Sequence, residues 1–325
     1  MSPATLNIPK ILLIKTSSLG DVLHNLPVVG DILGHYPEAK IDWLVEESFA
    51  ALPGLHPKVR KVIPVALRRW RGQLLNASTW EEISKLRSTL STSTYDFVID
   101  TQGLLKSALL TRLSKGIRCG FDRHSAREPL AASLYQRTFQ VAKAQHAVER
   151  CRQLAAQALG YSLDQPAAYG IIPPTIAHPA WLPRLNYAVL LHATSREHKL
   201  WDEANWIALG HYFRDRNIIS ILPWGNRAEQ ARSQRLSAAI PDALIPPRLN
   251  LTEAAGLLGG AKAIIGVDTG LAHLAAALGN PTIGLYTTTN PALTGLYAGN
   301  CAVNLGNIGQ PPTVNMVCDC LQKLC

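Results

Sequence analysis

The chain has 325 residues, of which 47% are hydrophobic and 17% charged, with a formal net charge of +9. That length exceeds what one hydrophobic core usually organises, so two domains are expected. No run of about 18 uninterrupted apolar residues is present, which excludes a membrane-spanning helix, and "MSPATLNIPK" lacks the charged-then-apolar pattern of a secretory leader, so a cytoplasmic location is expected.

The charge is uneven. Residues 1–165 hold 21 Lys+Arg against 14 Asp+Glu, whereas residues 166–325 hold 11 against 9. The densest stretch, "KVRKVIPVALRRWRG" at 58–72, has six basic residues and no acid, and residues 106–127 have six against Asp122 alone. An anionic partner is expected to meet the first half, with a merely solvated basic face as the plain alternative. The six cysteines form no CxxC pair and lack zinc-site spacing, so reduced thiols are expected.

In chain order, short β-rich runs alternate with helix-length segments: "ILLI" 11–14, "IDWLV" 41–45, "VIPV" 62–65 and "FVID" 97–100, then "YAVLL" 187–191, "IISIL" 218–222, "AIIGV" 263–267 and "TIGLY" 282–286. Runs apolar on both faces and separated by helices predict parallel sheets, so the fold class is α/β, twice over. The proline-rich stretch 160–186, without periodicity, is the expected domain connection. Ligands of such sheets bind beyond the carboxyl ends of the strands, which directs attention to the loops after Ile14, Leu191, Leu222 and Val267.

The first of these loops runs through Gly20, which permits a sharp strand-to-helix turn, to Asp21 in the first helical turn. A phosphate loop is excluded: the carboxylate already occupies the positive helix end, and no GK[ST] follows. Asp21 is therefore a helix cap, a general base, or both. His24, one turn on, either orients it or packs, and Pro27 kinks or restarts the helix.

After the second-half strand at 187–191, "LLHATSREHKLW" presents Thr194, Ser195 and Lys199, a set suited to a diphosphate. After the strand at 263–267, Asp268, Thr269 and Gly270 open a helix with His273 one turn along, although Asp268 as a plain cap is the simpler alternative. Glu229, in "LPWGNRAEQ", suits a ribose diol but alone is an ordinary surface glutamate. No DxD pair or histidine cluster is present to hold a metal on a diphosphate, so Lys199 and the helix start at 269–270 are the expected charge partners of a leaving nucleotide.

The segments "KTSSLGDVLHNLP", "IPVALRRWR", "DTQGLLKSA", "AREPLA", "QHAVER", "LHATSREHKLW", "LPWG" and "VDTGLAHLAAALG", in this order, resemble the lipopolysaccharide heptosyltransferases of glycosyltransferase family 9 over nearly the whole chain. The resemblance implies a GT-B fold, two Rossmann-like domains facing a central cleft. Residues 1–165 would bind the acceptor and 166–325 the nucleotide sugar, with the last residues packing back on the first domain. It implies ADP-activated L-glycero-D-manno-heptose as donor and the 3-deoxy-octulosonate (Kdo) of Kdo-lipid A as acceptor. No cofactor, metal or nucleic acid is implied, and the enzyme would lie on the anionic cytoplasmic face of the inner membrane. The resemblance carries over Asp21 as the base, and Thr194, Ser195, Lys199, Glu229, Asp268, Thr269, Gly270 and His273 on the donor side, with Leu249 near the nucleobase. Ser18, Gly20, Arg68, Arg69, Arg71 and Arg127 are the acceptor-side candidates. A nucleotide-sugar epimerase of the same fold would not need a basic first half. A basic nucleic-acid-binding protein would carry helix-turn-helix, zinc or stacking signatures that this sequence lacks.

Overall fold

A computed structural model describes residues 8–175, 178–182, 184–194 and 196–324. Ser195 and Cys325 lie outside the described residues. The chain divides into two compact units, the first ending at Ile171 and the second starting at Ile172, so the division falls inside the proline-rich connection.

The first unit holds six strands: β1 Lys10–Ile14, β2 Lys40–Glu46, β3 Val59–Val65, β4 Thr94–Asp100, β5 Lys115–Phe121 and β6 Arg137–Phe139. They form one sheet in the order β3-β2-β1-β4-β5-β6, and every pairing is parallel. Ile11 to Ile14 of the central β1 are inaccessible to solvent, which is why this strand reads as an unbroken apolar run. Pro64 sits in β3, at the sheet edge, where a missing N–H breaks no inner ladder.

The second unit holds β7 Tyr187–Leu191, β8 Ile219–Ile221, β9 Ala263–Val267, β10 Thr282–Tyr286 and β11 Ala302–Gly306. Their order is β11-β10-β9-β7-β8, again all parallel. A parallel bridge from Ile221 to Leu244 adds a sixth position outside β8. Each unit thus winds outward in both directions from its first strand, the doubly wound arrangement of dinucleotide-binding folds. The order reverses between β1 and β4 in the first unit and between β7 and β9 in the second, and these two points are where a crevice opens at the strands' carboxyl ends.

The sequence reading located eight strands and missed β5, β6 and β11. The last helix is Val314–Leu324. Its Val317 and Leu321 are buried in the second unit's own core, with Trp206, Phe213 and Leu285.

Candidate active site

At the first unit's reversal point, β1 runs into Lys15 and then into the helix Leu19–Leu23, with Ser18 at its N-cap and Asp21 in its first turn. Asp21 Oδ2 accepts the Ser18 backbone N–H at 2.9 Å and the Ser18 hydroxyl at 3.3 Å, so the capping role is real. Gly20 lies between them in the same turn. Pro27 opens a separate helix, Pro27–His35, as its missing N–H allows at the first position.

Capping does not exhaust Asp21. Arg127, arriving from the loop after β5, donates to Asp21 Oδ1 at 2.8 Å and to Oδ2 at 3.4 Å. Lys15, buried beneath, donates to the Thr101 carbonyl at 2.8 Å. Burial acts to raise the Asp21 pKa, but the charges of Lys15 and Arg127 and the Ser18 hydrogen bond outweigh it and hold the carboxyl below its usual value. Asp21 is therefore an ionised carboxylate, partly open to solvent, at the switch point. The cavity beneath it measures about 20 Å³, roughly one water's worth of space, so a sugar must approach from outside.

The loop's shape is fixed from β4. Asp100, buried at the strand's end, accepts the Gln102 N–H at 2.8 Å, and Gln102 Oε1 accepts the N–H groups of Thr16 and Ser17 at 3.1 and 3.2 Å. Lys106 reaches the Ser17 hydroxyl at 3.2 Å. Lys15 and Gln102 were missed as site residues. Their signal was position alone: Lys15 directly follows β1 and Gln102 stands two residues beyond β4. His24 is buried with its ring edge-on to His146, the packing alternative.

The basic segment divides. Arg68, Arg69 and Arg71 lie on the helix Leu67–Arg71 and are exposed. Arg69, however, donates to both oxygens of Glu47 and both of Glu82, at 2.9–3.1 Å, so its charge is neutralised within the protein. Arg69 thus reaches the surface as an ion-paired guanidinium. The acids that neutralise it come from other elements, which a local charge count does not see.

In the second unit the same topology brings together most of the residues expected on the donor side. Asp268, directly after β9, accepts Lys199 at 2.6 Å and the Thr289 hydroxyl at 2.9 Å on Oδ2, while His273 Nε2 stands 3.9 Å from Oδ1. The Thr194 hydroxyl donates to the Asp268 carbonyl at 3.0 Å. Burial opposes the charge on Asp268, yet His273, Lys199 and Thr289 together hold its pKa well below the carboxylate range. Thr289, missed in the sequence, stands in the loop after β10, where "YTTTN" is the same strand-end signal.

Thr269 is the N-cap of the helix Gly270–Ala277 but makes no side-chain cap hydrogen bond; its carbonyl takes the Ala272 N–H at 3.1 Å, which leaves the Gly270 and Leu271 N–H groups for an outside acceptor. Asn226 caps the helix that carries Glu229, accepting the Glu229 N–H at 3.0 Å, and the Glu229 carboxylate in turn accepts the Gly225 N–H and the Asn226 side-chain amide, each at 2.7 Å. Trp224 donates to the Pro246 carbonyl at 2.9 Å, tying Glu229's loop to the segment leading to Leu249. Leu249 lines an apolar cavity of about 640 Å³ with Trp181, Leu182 and Tyr187. Among the described residues no group of three or more His, Cys, Asp or Glu side chains is arranged to hold a metal ion.

The family model described as glycosyltransferase family 9 (heptosyltransferase) matches residues 83–323. The chain belongs to that family. Among family 9 relatives, lipopolysaccharide heptosyltransferase 1 of Pseudomonas aeruginosa is 46% identical over 97% of this chain and 87% of its own length. The protein of the same name from Escherichia coli K12 is 45% identical over 90% of this chain and 92% of its own. A solved structure described as E. coli heptosyltransferase WaaC with ADP superposes with a TM-score of 0.89 at 41% identity, covering 97% of this chain and all (100%) of that one. A second, with ADP-2-deoxy-2-fluoro heptose, gives 0.85 at 40% identity over the same 97% and 100%. Both agree with the α/β architecture of two parallel sheets.

Proposed function

We propose that this family 9 enzyme is a lipopolysaccharide heptosyltransferase of the first type, moving L-glycero-D-manno-heptose from ADP-heptose to the Kdo of Kdo-lipid A. The observation that carries this reading is near-full-length identity of 45–46% to relatives of that name, together with an ionised carboxylate at one switch point and a cation-and-hydroxyl cluster at the other.

In this reading the second unit binds the donor. Lys199, held by Asp268, and the open N–H groups of the helix at Gly270 meet the diphosphate and take up the charge that develops as ADP leaves. Thr194, Thr269 and His273 complete that wall, Glu229 meets the ribose, and Leu249 lies against the base. The first unit binds the acceptor, with Ser18, Gly20 and Arg127 around the reacting sugar and Arg68 and Arg71 toward anionic groups beyond it. Asp21 accepts the proton of the attacking Kdo hydroxyl. Because its basicity is lowered, the proton moves as the new C–O bond forms and the oxygen becomes acidic, not before. One displacement by that oxygen inverts the anomeric centre.

No helix among the described residues is long and apolar enough to cross a membrane; in this reading the acceptor is met at the surface of the cytoplasmic leaflet. The test is to incubate the purified protein with ADP-heptose and Kdo-lipid A in EDTA and weigh the lipid product. A gain of one heptosyl residue in the chelator is expected. No gain, or donor conversion without acceptor, sinks the reading; a gain only after magnesium is added would replace the side-chain account of the leaving group with a metal one.

A further inference from the structure

The basic segment carries a feature that the reaction does not use. In "LRRWRGQLLNASTW", residues 67–80, the large apolar side chains face two ways. Trp70 is buried, its indole N–H donating to Glu82 at 2.7 Å. Leu74, Leu75 and Trp80 point outward, with relative exposures of 52%, 102% and 57%. They are held in place: the Trp80 indole N–H donates to the Leu74 carbonyl at 2.9 Å, and the Asn76 N–H to Gln73 at 3.0 Å, closing the loop onto the first turn of the helix Ala77–Ser91. Single exposed leucines are ordinary, but a hydrogen-bonded loop that presents two of them beside a tryptophan is a built apolar knob.

Its surroundings select the partner. Residues 67–80 contain three arginines and no acid. Arg69 is satisfied by Glu47 and Glu82, while Arg68 and Arg71 are exposed at the base of the knob. Lys58 and Lys61 are exposed on and before β3, and the first acid further on, Glu81, is followed on the same helix by exposed Lys85 and Arg87. Leucines that seek hydrocarbon, an indole suited to the headgroup boundary and unopposed arginines match an anionic bilayer. A second copy fits less well, since a symmetric contact would set the same arginines against each other. The loop also leaves the carboxyl end of β3, the end of the sheet at which Asp21 stands.

We propose that Leu74, Leu75 and Trp80, framed by Arg68 and Arg71, are the element by which the first unit docks on an anionic phospholipid surface. This rests on the reading of the acceptor as a membrane lipid and names the surface that meets the bilayer around it.

The experiment compares wild-type protein with the double variant Leu74→Ser, Leu75→Ser in two arms. One arm measures cosedimentation with vesicles of phosphatidylglycerol and phosphatidylcholine, and of phosphatidylcholine alone, with no acceptor present. The other measures turnover of ADP-heptose with a soluble Kdo saccharide lacking acyl chains. The wild type is expected to bind the anionic vesicles, more weakly as salt is added, and the neutral ones poorly. The variant should bind them about 10-fold more weakly or worse, from the apolar area no longer buried, with turnover on the soluble acceptor unchanged. A variant that partitions like the wild type overturns the proposal, as does a wild type that ignores anionic vesicles. So does a wild-type dimer that the substitutions disperse, which would assign the knob to self-association. Vesicle binding decides the docking surface whatever wild-type turnover on the soluble acceptor shows; failure of that turnover counts against heptosyl transfer instead.

Discussion

Asp21 is a capping carboxylate that has been given two cations beyond what a cap needs. Its hydrogen bonds to Ser18 satisfy the helix start, while Lys15 and Arg127 add charge on the other side. Burial raises its pKa and these partners lower it, with the lowering prevailing, so the carboxylate stays ionised through neutral and mildly acidic pH and is protonated only as the pH falls through the depressed value. Arg127→Gln removes one of the two charges and both guanidinium hydrogen bonds while leaving the Ser18 bond and Lys15. The acidic limb of the kcat/KM profile should then move to higher pH, because the opposing effect of burial is less well countered. A pH–rate profile of the variant checks this, and an acidic limb left in place would mean that Asp21 does not act as the base.

At the scale of elements, what was legible in the sequence follows from burial. β1, β7, β9 and β10 are buried on both faces or nearly so and read as apolar runs, as does the buried end of β4. β5 was illegible because "KGIRCGF" carries two glycines and an arginine. The structure supplies the reason: Gly116 has φ +142°, and at Gly120 a Cβ would run into the Tyr135 ring, whose hydroxyl donates to Asp100 at 2.7 Å. The glycine leaves space for the tyrosine that holds Asp100, and Asp100 in turn shapes the Gln102 loop. β6 has three residues and β11 is half-buried along its length, so neither carries a period. The donor cluster was legible because its residues follow strands in sequence. The satisfaction of Arg69 by Glu47 and Glu82 was not, because it joins three elements. Gly120→Ala is expected to cost about 1–3 kcal/mol by overpacking, read as a lowered Tm, with turnover reduced in the surviving fold as the Gln102 loop shifts. An unchanged Tm would contradict the packing account.

Across the whole molecule, the two units repeat one winding and differ in what their switch points hold. The first, which carries the larger basic excess, places a carboxylate there; the second places a lysine, hydroxyls and a helix start without a side-chain cap. That division predicts that loss of the proposed base leaves donor binding alone, since every proposed donor-side residue belongs to the second unit. The direct test is Asp21→Asn, which keeps the side chain's size and much of its capping. Calorimetric titration should show ADP-heptose bound as by the wild type, while single-turnover transfer to Kdo-lipid A falls about 100-fold or more. Transfer at near the wild-type rate, with the fold and donor affinity intact, would leave Asp21 a cap only and contradict the account.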